Sequence, residues 1–231
     1  RVYDLGCGDG RVTREIAQRA PHSLVVGIDS SASMINLASK AYTNLSNLTF
    51  ELKKIEDLAL LKPDLITSFS AFHWVRDPEQ ALNQLCSSIE PGGELLILTY
   101  VRSGYYQFLQ NTLNKYHPDY ACQAAYHTML APEEYTRILN ANGMIVQKYE
   151  LEPQIAIHEN EQDMKNFIQG WLTSFVPLPD DLHKEFLDCA VEESKKYRLP
   201  SNNGKIELPY ISLTVQAQKI ARDSCCRCIL S

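Results

Sequence analysis

Up to Tyr100, short apolar runs alternate with stretches that repeat apolar residues every three or four positions. Val2, Tyr3 and Leu5 make the first run, Leu24 to Asp29 the second and Leu48 to Leu52 the third. Asp64 to Phe69 and the strongly apolar Glu94 to Tyr100 make the next two. Short apolar runs read as buried strands, and the three-to-four spacing reads as helix. Arg11 to Ala20 carries Val12 and Ile16 at helical spacing and stops before Pro21. Ser30 and Ser31 can cap a helix through Met34, Leu37, Ala38 and Ala41. Asp77 and Pro78 are an N-cap followed by proline at the first helical position. The helix they open carries Ala81, Leu82, Leu85 and Ile89 and ends at Pro91-Gly92-Gly93. Strands alternating with helices predict a parallel, doubly wound α/β sheet.

Beyond Tyr100 the pattern changes. Amphipathic helices are expected from Tyr105 to His117 and from Pro132 to Asn142, the second closed by Gly143. Met144 to Glu152 and Ile206 to Gln216 read as longer strands. Two helical stretches, Glu161 to Ser174 and Asp180 to Tyr197, lie between those strands. They predict a cap over the open edge of the sheet's site, where a substrate would lie.

The chemistry starts at Asp4-Leu5-Gly6-Cys7-Gly8-Asp9-Gly10, directly after the first strand. Glycine at alternate positions allows a tight turn, positive φ and close approach of a ligand. Asp29 closes the second strand, nineteen residues after Gly10. A glycine loop after one strand and an acid at the tip of the next form an adenosine-type cofactor site: amides line the crevice and the acid takes ribose hydroxyls. A dinucleotide loop reads G-x-G-x-x-G, and its third glycine would fall on Arg11. The spacing here is G-x-G-x-G after Asp4, which resembles motif I of the class I S-adenosylmethionine (SAM) methyltransferases. Their cofactor has no pyrophosphate and carries an α-amino acid tail, whose ammonium an acid near the loop suits.

The resemblance extends to about Lys219. Thr67-Ser68-Phe69-Ser70-Ala71-Phe72-His73-Trp74-Val75 with Asp77, then Pro91-Gly92-Gly93, is similar to the group containing trans-aconitate and juvenile-hormone-acid methyltransferases. Trp171 with Pro177-Leu178-Pro179, and Gly204-Lys205-Ile206-Glu207-Leu208-Pro209-Tyr210, are similar to the same group. The resemblance implies a mostly parallel seven-stranded sheet with an antiparallel last strand. It divides the chain into a SAM-binding core (1–152 and 204–219), a helical cap (153–203) and a tail (220–231). It implies that Asp4, Gly6, Cys7 and Gly8 hold the methionine part of SAM. Asp29 would bind the ribose, Ser30 and Met34 would flank the adenine, and Ile55 and Glu56 would meet its edge. Phe69 and Ser70 would close the cofactor pocket. His73, Trp74 and Trp171 would face the acceptor. The family usually has an acid immediately before the position of Ile55, and this chain has Lys54 there.

Two readings stand for several of these residues. Met34 is packing or ligand contact, and Trp74 is core or acceptor wall. His73 is a lone histidine with no carboxylate partner evident from the sequence, so a general-base role and a structural role both remain. Tyr105, Tyr106, Tyr116, Tyr120 and Tyr126 are pocket lining or half-buried packing. A carboxylate with a pKa of about 4 is already ionised at neutral pH and needs no base. Its methylation then rests on positioning and desolvation. The lack of an evident acid–base pair is compatible with carboxylate O-methylation, and Trp74 could donate its indole N–H to the acceptor. The alternatives are a catalytically degenerate fold serving as a membrane-anchored interaction module, and a protein methyltransferase.

The 231 residues are 45% hydrophobic and 22% charged, as expected of one globular domain or a core with a lobe. A net charge of −6 argues against general nucleic-acid binding. No apolar run approaches the ~18 residues of a membrane span. The start at Arg1 reads as a trimmed chain, without the N-terminal helix that helps cover the site in the resembled group. Cys7, Cys86, Cys122 and Cys189 are scattered singly, which suggests reduced thiols in a cytosolic protein. Cys225-Cys226-Arg227-Cys228-Ile229-Leu230-Ser231 has the C-a-a-X pattern. It predicts a farnesyl group on Cys228, added by a prenyltransferase, with Cys225 and Cys226 as palmitoylation sites. Two lipid signals hold a membrane where one does not. The expected location is a cytosolic membrane face, in a eukaryote or in a host cell reached by a microbial protein. The alternative is a metal site, but no second Cys or His pair stands near Cys225 and Cys228 to complete a tetrahedron.

Overall fold

A computed structural model of the protein describes residues 1–59, 62–201 and 204–220. Cys225, Cys226 and Cys228, and with them the lipidation reading, lie outside the described residues. In the first half, strands and helices alternate: β1 (Val2–Leu5), α1 (Arg11–Arg19), β2 (Val25–Asp29), α2 (Ala32–Ala41), β3 (Leu48–Leu52), β4 (Leu65–Phe69), α3 (Pro78–Ser88) and β5 (Glu94–Tyr100). Helices dominate the second half: α4 (Gly104–Tyr116), α5 (Pro118–Ala121), α6 (Pro132–Ala141), then β6 (Met144–His158). It ends with α7 (Glu161–Gln169), α8 (Leu172–Phe175), α9 (Asp180–Ser194) and β7 (Ile206–Lys219).

The strands form one seven-stranded sheet in the order β3-β2-β1-β4-β5-β7-β6. β1 to β5 pair in parallel, and β7 runs antiparallel to both β5 and β6. Chain order reverses between β1 and β4, so the crevice beyond their C-terminal ends is the ligand site of an open α/β sheet. Asp77 caps α3 as expected, its Oδ1 accepting the Gln80 N–H at 3.0 Å. α7 and α8 were expected as one helix; the chain breaks at Gly170-Trp171.

The cap boundaries need two corrections. β6 does not stop at Glu152. It continues to His158, paired with β7 down to His158↔Ile206, so residues 153–158 belong to a hairpin that outreaches β5, whose pairing with β7 stops at Tyr100↔Ser212. Pro153 is tolerated because β6 is the sheet edge, where a missing N–H loses no ladder bond. The cap also starts earlier than expected. Phe108, Leu109 and Leu113 of α4 share a buried cluster with Met164, Ile168, Phe175, Phe186 and Leu187 of the later helices, and with Leu208 on β7. Full burial of such side chains stabilises by about 1.5–3 kcal/mol each, so the cap is a packed layer with its own core. A separate core lies against the sheet under α3 and α6, with Leu5, Ile66, Phe72, Leu82, Ile97, Tyr135 and Val215 among its members.

Candidate active site

The glycine loop turns where β1 ends. Gly6 has φ +71°, and a Cβ there would sit 2.1 Å from the Cβ of Ala71. Gly8 has φ +55° with open space where its Cβ would be, and its N–H donates to Asp29 Oδ2 at 2.9 Å. The Ser31 N–H donates to Asp29 Oδ1 at 2.8 Å. Two amides thus fix the Asp29 carboxylate at the tip of β2. Asp4 is buried behind the loop, accepting from Thr13 Oγ1 at 2.7 Å and Thr67 Oγ1 at 2.9 Å. Burial raises its pKa, and the two hydroxyls partly offset that. It ties β1 to α1 and β4. Burial, with Asp29 and Asp4 nearby, pushes the Cys7 thiol up to about 12, so it stays protonated.

A cleft of about 590 Å³ opens in front of this loop. Of the residues expected to hold a cofactor, Gly6, Asp29, Ser30, Met34, Ile55, Glu56 and Ser70 line it. Asp4, Cys7, Gly8 and Phe69 do not; they shape the loop and strand ends from behind. Met34 is 41% exposed, whereas Ala38 is the buried residue of the same helix. Sequence reading missed Arg76, Gly170, Thr173 and Ser174, the last three supplied by the cap. Lys54 also lines the cleft, while Glu56 Oε1 accepts the Arg76 N–H at 3.0 Å. The volume falls in the range of small-molecule sites, roughly 300–1,000 Å³. A carboxylate for a diol, apolar Met34 and Ile55 for a planar base, and a glycine at the loop position facing the cleft fit an adenosine-type cofactor.

A second cavity, about 520 Å³, lies under the cap. Its walls carry Trp74, Tyr100, Tyr105, Tyr106, Phe167, Trp171 and Tyr210, with His73, His158 and Asp163. The rings hold one another: Trp74 and Trp171 lie 5.4 Å apart, and Tyr100 meets Tyr210 edge-on at 5.4 Å. Tyr116, Tyr120 and Tyr126 are not among its walls. Ser70 and Trp74 border both cavities. Ser70 is a non-glycine residue at φ +57°, and its hydroxyl bonds that of Tyr100 at 2.8 Å. Such backbone strain costs about 1–3 kcal/mol and gathers at functional sites.

His73 is fully enclosed, with Thr99 Oγ1 3.4 Å from Nδ1 and the Trp74 and Tyr100 rings at 4.3 and 4.7 Å. Burial lowers its pKa to about 3, so it is neutral at physiological pH. The His158–Asp163 pair had no sequence signal, because it depends on β6 reaching further than its pattern suggested. Asp163 Oδ2 lies 3.8 Å from His158 Nδ1, and Tyr105 Oη lies 3.1 Å from His158 Nε2. Burial lowers the His158 pKa, and Asp163 partly restores it.

Comparison with known proteins agrees with this geometry. The family described as "Methyltransferase domain" matches residues 1–173. Trans-aconitate 2-methyltransferase of Deinococcus radiodurans is 32% identical over 63% of this chain and 58% of its own length. Juvenile hormone acid O-methyltransferase of Drosophila melanogaster is 26% identical over 83% of this chain and 69% of its own. The chain therefore spans little more than half of the first relative. The YcgJ protein of Bacillus subtilis has the same fold, with a TM-score of 0.63 at 18% identity over 95% of this chain and 92% of its own. Two further solved structures of this fold, with TM-scores of 0.54 and 0.56, are complexes with S-adenosylhomocysteine and SAM. The chain belongs to the methyltransferase domain family.

Proposed function

We propose that the protein transfers a methyl group to a carboxylate oxygen of a small, largely apolar molecule. The observation that carries this is the meeting of a SAM-type cleft and an aromatic chamber at Ser70 and Trp74. In this reading Asp29 accepts the ribose hydroxyls, Met34 and Ile55 flank the adenine, and Gly6 lets the methionine part approach the loop. SAM bound there supplies an electrophilic methyl group on a sulfonium. The acceptor carboxylate is ionised at neutral pH. Whichever of the paired Ser70 and Tyr100 hydroxyls keeps a free O–H, together with the indole N–H of Trp74, holds it with neutral donors. Methyl transfer to one of its oxygens would then ask only for positioning beside the cofactor. No proton is released, and a neutral His73 suffices. The trans-aconitate and juvenile hormone acid relatives, both named as methyltransferases of acids, support the same acceptor class.

A panel of carboxylic acids, amines and proteins assayed with labelled SAM tests this reading. Base-labile label on apolar acids is expected. Label confined to amines or proteins would overturn it, and absence of SAM binding by calorimetry would favour a non-catalytic interaction module. Membrane tethering belongs to the same proposal and is supported by the Cys228-Ile229-Leu230-Ser231 pattern. With farnesyl on Cys228 and palmitoyl on Cys225 or Cys226, Cys228→Ser should move the protein from membranes to the cytosol of eukaryotic cells. Unchanged membrane association would count against it.

A further inference from the structure

The two ends of the aromatic chamber differ. The end at the cofactor cleft offers one free O–H from the bonded Ser70–Tyr100 pair and the indole N–H of Trp74. From Trp74 the wall runs through Trp171 and Phe167 to His158, in ring-to-ring steps of 5.4, 6.0 and 5.3 Å. At this far end stands Asp163, and no lysine or arginine lines the chamber among the described residues. Asp163 Oδ2 is engaged: it accepts the Glu159 N–H at 3.1 Å and faces His158 Nδ1 at 3.8 Å. Oδ1 carries no hydrogen bond among the described residues.

The neighbours of Asp163 are acceptors as well. With the Nδ1 proton of His158 turned toward Asp163, the Nε2 lone pair accepts from Tyr105 Oη. Burial raises the Tyr105 pKa, so it remains a phenol whose oxygen lone pairs face the chamber. The rings of Phe167, Trp171 and Tyr105 surround this end, and Phe167 is 52% exposed at the mouth. A carboxylate oxygen, a phenol oxygen and aromatic faces together favour a cation over an anion or a methyl group.

We propose that the acceptor is an elongated acid that presents its carboxylate to Ser70 and Tyr100 and a protonated amine to Asp163, Phe167 and Trp171. This rests on the carboxylate reading above and adds the chemistry of the acceptor's other end.

The test uses straight-chain acids of matched length ending in methyl, hydroxyl, ammonium or a second carboxylate. They are assayed with labelled SAM on the wild type, Asp163→Asn and Phe167→Leu. Asparagine keeps an oxygen for the Glu159 N–H, so the start of α7 survives. The ammonium-terminated acid should exceed the methyl-terminated one by about tenfold in kcat/KM, with the dicarboxylate poorest. Asp163→Asn should erase that preference through KM with kcat unchanged, and Phe167→Leu should reduce it. Equal use of the methyl-terminated acid, or a preference that Asp163→Asn leaves intact, would overturn the proposal alone. If no acid takes label, the carboxylate reading falls and this proposal falls with it.

Discussion

The cofactor cleft and the acceptor chamber meet at two residues but are built differently. The cleft mixes small and polar residues with Met34 and Ile55, and is set by a local turn at Gly6, a strand tip at Asp29 and a short 3₁₀ turn at Ile55–Asp57. The chamber is made of large rings brought together from β5, α4, β6, α7 and β7, over more than a hundred residues of chain. A cofactor common to a family can be bound by a fixed backbone shape. An acceptor that varies between relatives is bound by side chains hung on the cap. Damage to one cavity should therefore leave the other able to bind.

The largest expected effect is at the loop. Gly6→Ala combines a left-handed backbone with overpacking against Ala71, about 3 kcal/mol together. By calorimetry SAM affinity should fall by about a hundredfold. Adding Ala71→Gly should recover the overpacking part only. Next, Asp29→Ala removes the acceptor of two amides and of the ribose, and should cost about 2 kcal/mol in SAM binding. Tryptophan quenching by an apolar acid should be unchanged, which separates the cavities directly.

His73 gives the third test. Its folded pKa of about 3 lies below the unfolded value near 6.5, so the folded state binds fewer protons. Stability is highest above pH 6.5 and falls as pH drops toward 3, at up to about 1.4 kcal/mol per pH unit. Urea unfolding at successive pH values should show this slope in the wild type and in Asp29→Ala, and a reduced slope in His73→Phe. The smallest effect is Tyr100→Phe, which removes the bond to Ser70. A loss of about 1 kcal/mol, read as a several-fold drop in kcat with SAM affinity unchanged, is expected from steady-state kinetics.

The sequence carried most of the cleft because its signals are local. Glycine spacing and the strand-ending acid are set within one βαβ unit, and Gly6, Asp29, Ser30, Met34, Ile55, Glu56 and Ser70 do share one cavity. Asp4 and Cys7 were legible as motif residues, but not as residues behind the wall, because side-chain facing depends on Thr13 and Thr67 above them. The parallel strands and capped helices followed from periodicity. The chamber did not, beyond His73, Trp74 and Trp171. A tyrosine at helical spacing looks alike whether it packs, as Tyr120 does in the cap, or lines a cavity, as Tyr106 does. His158 and Asp163 were hidden because the strand was expected only to Glu152, whereas β6 continues through Pro153 to His158 at the sheet edge.

The central claim is that the methyl group passes where the two cavities meet. A crystal structure with S-adenosylhomocysteine and an apolar carboxylic acid tests it most directly. The account predicts ribose on Asp29, adenine between Met34 and Ile55, and the acid's carboxylate beside Ser70 and Tyr100, facing the cofactor sulfur. An adenosine bound away from Asp29, or an acid seated outside the aromatic chamber with its carboxylate turned from the sulfur, would contradict it.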